Sequence, residues 1–200
     1  MNAMRRLPKL FALAALAIVS ASCGDVVRDG RAPVFLVIEL LEGSTGTDGQ
    51  LSTFVLSDVL TKGGVVNDPG KATMRLAPKD IGNPLNPATP SSNNAVTINR
   101  YRVAYKRADG RNREGVDVPY AFDGAATGTV PPTGKIELPF ELVRHVAKME
   151  SPLAQLAFAN PTVITTIAEV TFYGRDLVGN EVTATGFIQV NFGNFADKDE

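Results

Sequence analysis

The chain has 200 residues, 20 basic and 21 acidic side chains, and an apolar fraction of 44%. That is room for one domain with a core, or one domain and an appendage, and it excludes disorder throughout. A formal charge of −1 supplies no basic footprint for nucleic acid, and the absence of Trp removes the common flat platform for carbohydrate.

Residues 1–22 read as a cleaved signal segment. Arg5, Arg6 and Lys9 make a positive start, and Leu10–Val19 is a short apolar run. A run of about ten residues falls short of the roughly twenty that a membrane-spanning helix needs, which points to export. Small residues Ser20, Ala21 and Ser22 then lead to Cys23, the one cysteine of the chain. This ending resembles a bacterial lipoprotein signal, and the resemblance implies that Cys23 is lipidated and becomes the mature N-terminus. The chain departs from that pattern at Ser20, where the family carries an aliphatic residue; Val19 stands one step earlier. Ordinary signal-peptidase cleavage near Ala21 is the competing reading, and it would leave a lone thiol in an oxidising compartment.

Removing 1–22 takes three basic residues away and leaves 17 against 21 acidic ones, a net charge of −4. The body is mildly acidic, not a polybasic patch for anionic lipid. Residues 23–33 read as the lipidated cysteine and its tether, rich in turn formers. The expectation is a lipid-anchored protein of the bacterial cell envelope. Gly24 rather than Asp after the cysteine implies, by the same resemblance, the outer membrane; the periplasmic and surface faces both stay open.

A domain is expected over 34–193. Val34–Leu41 is a near-continuous apolar run and predicts a strand buried on both faces. Gly43, Gly46 and Gly49 follow at a spacing of three, but no Gly-Lys-Ser/Thr closes them, so they read as a flexible connection and not as a phosphate loop. Leu51–Leu60 and Ala72–Leu76 are further strands. Loop 77–94 holds Pro78, Pro84, Pro87 and Pro90, which oppose regular pairing. It is either a plain surface excursion or a loop that touches a partner.

Val96 and Ile98 alternate on one parity and Tyr101, Val103 and Tyr105 on the other, which predicts a bulge near Asn99-Arg100. Asp109-Gly110 is a turn. Pro119 marks Val116–Phe122 as an edge strand, and Pro139 does the same for Lys135–Val143. Ser151-Pro152 predicts the start of a short helix carrying Leu153 and Leu156; Leu142, Val146 and Met149 also fit helical spacing. Ile167–Phe192 is a hairpin, with Val170 and Phe172 on one arm, Ile188 and Val190 on the other, and Gly179-Asn180 in the turn. Residues 194–200 form an acidic tail.

The fold class expected is all-β, an antiparallel β-sandwich with one short helix. Tyr173-Gly-Arg-Asp176-Leu-Val-Gly179-Asn180 is similar to the aromatic-x-x-Asp-x-x-Gly-Asn pattern in the closing strand pair of bacterial immunoglobulin-like domains. Arg100–Gly110 resembles the central strand of fibronectin type III domains. Both stretches are short; they imply an immunoglobulin-like sandwich and assign no family.

Sites are sparse. His145 is the one histidine and lacks an evident catalytic or zinc partner. Glu137 and Glu141 are a carboxylate pair of the kind a glycosidase uses, at a spacing also common on solvated strand faces. Asp176, Asn180 and Glu181 are calcium candidates, though Asp and Asn also occur in turns for backbone reasons. The reading is a non-catalytic binding or structural module with no cofactor. Its partners are the membrane through the lipid, and an envelope protein or glycan. Two alternatives stand beside it: an accessory lipoprotein subunit of a secretion or pilus assembly, and a hydrolase with an unrecognised acidic site.

Overall fold

Side chains alternate across a strand, so a period of two places every second residue on one face of a sheet. The computed structural model describes residues 31–46, 49–62, 64–83, 85–87, 91–158 and 162–195. Among them run β1 (Val34–Gly43), β2 (Phe54–Asp58), β3 (Asp68–Pro78), β4 (Gly82–Asn83), β5 (Asn86–Pro87), β6 (Val96–Lys106), β7 (Phe122–Val130), β8 (Lys135–Val143), β9 (Ile164–Asp176) and β10 (Glu181–Gly193). A four-residue helix, α1 (His145–Lys148), and 3₁₀ turns at Ser92–Asn94 and Leu153–Ala157 complete the elements.

The described residues form an all-β fold built on two main sheets. One has the order β1-β3-β8, the other β2-β10-β9-β6-β7, and β4 and β5 pair only with each other. Every pairing is antiparallel except β2 with β10, which run parallel from Phe54 beside Gln189 to Asp58 beside Gly193. The core lies between the two sheets. Tyr101 of β6 and Phe172 of β9 meet Phe140 of β8 across it, each with ring centroids 5.4 Å apart in edge-on geometry. Such pairs add about 0.5–1.5 kcal/mol each beyond the area they bury. Phe172, Phe192, Met74, Ile98 and Leu142 are fully buried around them.

The expected hairpin is present as β9 and β10, in unbroken register from Glu181 beside Arg175 to Phe192 beside Ile164. Ala168, Val170 and Phe172 on β9 and Ile188, Val190 and Phe192 on β10 all point inward. The bulge in β6 also falls where the switch of parity puts it, with the register to both β7 and β9 shifting between Ile98 and Arg100.

Three elements differ from expectation. β1 is not buried on both faces: it is the outermost strand of its sheet, and Phe35 and Leu40 are 56% and 40% exposed. A bulge between Ile38 and Leu40 keeps Leu36 and Leu41 both inward. Val116–Phe122 is not a strand; the return strand β7 starts only at Phe122. Gly115, at φ 74°, donates its N–H to the Val118 carbonyl in a tight turn, and Pro119 behind it has no N–H to give a ladder. The helix expected from Ser151-Pro152 is the 3₁₀ turn Leu153–Ala157, capped at Pro152 with no side-chain bond, while α1 takes up the Val146 register. Lys135–Val143 is an edge strand as Pro139 predicts. The described residues of loop 77–94 include the end of β3, the β4–β5 ladder and a 3₁₀ turn. Among the described residues no helix is long and apolar enough to cross a membrane.

Candidate functional site

The bulge at Asn99 re-aims the side chains of β6 on the outer face of the five-stranded sheet. Arg100 is carried over the ring of Tyr173, with its guanidinium carbon 4.0 Å from the centroid. Its neighbour Arg102 holds Asp123 at 2.8 Å, and Arg100 reaches the same carboxylate at 3.4 Å. On the next strands Arg175 pairs with Glu181 at 2.7 Å. Asn99, Arg100, Tyr173, Arg175, Glu181 and Thr183 line a groove of about 400 Å³. Gly174 lets the strands close beneath it: a Cβ there would stand 2.7 Å from the Thr97 carbonyl oxygen. The groove offers guanidinium and amide donors, carboxylate and hydroxyl acceptors and one aromatic ring. That set can bind a hydroxyl- or carboxylate-bearing ligand.

A second polar cluster is sealed within the fold at the other end of the sheets. Asp68, the first residue of β3, accepts hydrogen bonds from Lys148 Nζ at 2.8 Å, Ser57 Oγ at 2.5 Å and the Gly46 N–H at 2.9 Å. Neither Asp68 nor Lys148 exposes any side-chain surface. Burial raises the Asp68 carboxyl, while Lys148, Ser57 and Gly46 pull the other way. Nearby, Tyr105 is also buried and donates to the Leu142 carbonyl at 2.6 Å; burial pushes its phenol far up. No ligand reaches an enclosed pair of this kind, so its work is to fasten α1 and loop 44–46 to the sheets. Sequence reasoning missed it because Ser57, Asp68 and Lys148 share no spacing.

The residues singled out from sequence are dispersed. His145 is exposed, and Asn67 Oδ1 accepts its backbone N–H at 2.6 Å and stands 2.8 Å from its Nδ1. Asn67 also donates to Glu141 at 2.9 Å, so His145 and Glu141 flank one amide. Glu137 lies apart from them, against Lys71 at 3.4 Å. Asp176 is 5% exposed and spends its carboxylate within the β9–β10 turn, on the N–H groups of Val178 and Asn180 and on the Asn180 side chain. Glu181 is turned to Arg175. Among the described residues no cluster of three or more His, Cys, Asp or Glu side chains is placed to hold a metal ion. Gly46 of the glycine-rich connection serves Asp68, and Cys23 lies outside the described residues. On the surface, Arg107 and then Arg111 bond to Asp109 and hold its carboxyl well below the usual range.

No family model matches the chain, and no curated protein matches it. It is similar to an X-ray structure of the Northeast Structural Genomics Consortium target SoR45, at a TM-score of 0.37 and 11% identity over 86% of this chain and 95% of that one. A likeness at that level carries no argument about function.

Proposed function

We propose that the protein is a lipid-anchored, non-catalytic binding or structural module of the bacterial cell envelope, built as an immunoglobulin-like β-sandwich. The observation that carries the anchoring is Cys23, the chain's one cysteine, set directly behind a short apolar run and small residues. Two features support the sandwich. The strand order β1-β3-β8 facing β2-β10-β9-β6-β7 matches a first strand split between two sheets, and its second piece runs parallel to the last strand. Support for binding over catalysis comes from the groove beside Arg100 and Tyr173, a polar concavity whose charges are already paired.

Replacing Cys23 with Ala and fractionating cells tests the anchor. The expected outcome is a shift of the domain from membrane to soluble fraction, and retention in the membrane would remove this reading.

A second reading, an accessory subunit of a larger envelope assembly, is favoured by a different surface. Phe54 and Leu56 of β2, Phe187 of β10 and Ile167 of β9 are 51%, 43%, 64% and 38% exposed on the outer face of the five-stranded sheet. They alternate with Gln189, Asn191 and Glu169 across the strands, a mixed apolar and polar face of the composition that protein interfaces use. Gentle solubilisation should then bring down a stoichiometric partner that Phe187→Glu releases; a clean monomer argues against it.

A further inference from the structure

The topology gathers several connections at one end of the two sheets. Val34, where the chain enters β1, pairs with Pro78 at the end of β3. Val96, at the start of β6, pairs with Asp176 at the end of β9 and with Val130 at the end of β7. Residues 79–83, 85–87 and 91–95, turn 131–134, turn 177–180 and the entry residues 31–33 therefore share that end. Turn tips are normally Gly, Pro, Asn, Asp or Ser, chosen for backbone reasons. Turn 131–134, Pro-Pro-Thr-Gly, follows that rule, but the β3–β6 connection and turn 177–180 also carry exposed aliphatic side chains. Leu177 and Val178 are 62% and 73% exposed, and Ile81 and Leu85 are 75% and 97% exposed.

The β9–β10 turn does not need these side chains. Asp176 and Gly179 close it, the first through its carboxylate and the second through its N–H to the Asp176 carbonyl at φ 93°. Leu177 and Val178 thus stand free of a structural duty, as do Ile81 beside β4 and Leu85 between β4 and β5.

What covers them follows from where the chain leaves the fold. Arg31 lies eight residues after Cys23 at this same end. Eight residues span roughly 28 Å fully extended and about 16 Å as a flexible coil. A lipid on Cys23 would hold these four tips within reach of the bilayer and the opposite end of the domain away from it. Exposed Arg31, Lys79 and Lys135 border the same end, outnumbering the exposed Asp80 beside them, and suit the headgroup layer.

We propose that Ile81, Leu85, Leu177 and Val178 form a membrane-facing end that dips into the interfacial layer of the lipid bilayer and fixes the domain upright on its tether. The proposal rests on the anchoring of Cys23. It leaves the five-stranded face and its groove pointing sideways, open to a ligand or partner.

The opposite end supplies an internal control, because Phe158 is 92% exposed there and is as apolar as the tips. Leu85→Cys, Val178→Cys and Phe158→Cys are each made in the full chain, labelled with an environment-sensitive fluorophore and reconstituted in vesicles of phosphatidylethanolamine and phosphatidylglycerol. The expected result is a blue shift and quenching by spin-labelled lipid at positions 85 and 178, with neither at 158. All three labels in water, in protein that still floats with the vesicles, would overturn the membrane-facing end and leave the anchor standing. Equal quenching at all three would overturn it as well, since the domain would then lie on its side. Failure of the unlabelled chain to float removes the anchor and this proposal together.

Discussion

Asp68 and Lys148 lie 80 positions apart in the chain and meet at 2.8 Å with both side chains fully enclosed. The pair ties the first residue of β3 to the last residue of α1, across loops that have little regular structure of their own. Enclosure removes the water that would screen or replace either charge, so each depends on the other.

Removing one partner therefore costs far more than a surface ion pair would. Lys148→Met and Asp68→Asn are each expected to destabilise the fold by about 3–5 kcal/mol in urea denaturation, because each leaves a buried group uncompensated. The double variant should cost clearly less than the two added together. Additive costs in that cycle would show that the pair is not coupled.

Alkaline pH acts on the two buried phenols. Burial raises both Tyr101 and Tyr105 above the ordinary tyrosine value. Their stabilising contribution is whole below about pH 10 and is lost as pH rises toward the folded-state values, at up to about 1.4 kcal/mol per pH unit for each phenol. Urea midpoints should fall above pH 10, and Tyr105→Phe should flatten the fall. At neutral pH the same substitution leaves the Leu142 carbonyl without its donor and should cost about 1–3 kcal/mol.

Two glycines separate close approach from spare room. At Gly174 a Cβ would meet the Thr97 carbonyl oxygen at 2.7 Å, and the neighbour is rigid backbone. At Gly186 it would meet the ends of Ile38 and Leu41 at 3.2 Å, beside a groove of about 450 Å³ between β1 and β10. Gly174→Ala should lose about 1–3 kcal/mol, and Gly186→Ala should stay within about 1 kcal/mol of the parent. Equal losses would mean that the groove is closed in solution.

The β9–β10 turn separates a calcium site from a backbone device. Since the Asp176 carboxylate is spent on the turn, Asp176→Ala should lower stability by about 1–3 kcal/mol whether calcium or a chelator is present. A melting temperature that rises with calcium in the parent and not in Asp176→Ala would establish the metal site instead.

Local pattern determined a good part of this protein. The period of two in Ile167–Phe192 dictated a hairpin, since one face had to be buried, and the parity switch at Asn99-Arg100 marked a bulge for the same reason. Pro139 marked an edge because it cannot donate to a second neighbour. The signal-like start and Cys23 are read wholly from sequence. Other features had no local signature. VFLVIELL carries the composition of a buried strand, yet β1 lies at the sheet edge, and only the order of strands decided that. Nothing local linked Asp68, Ser57 and Lys148, because a charge gives no hint of a partner 80 positions away. The groove of Arg100, Tyr173 and Glu181 draws on three strands, and the four aliphatic tips share an end because the segment from β3 to β6 crosses between the sheets where the β9–β10 turn also lies. Sequence period fixes which face a residue takes; pairing between distant strands fixes what that face meets, and sites are made of the second.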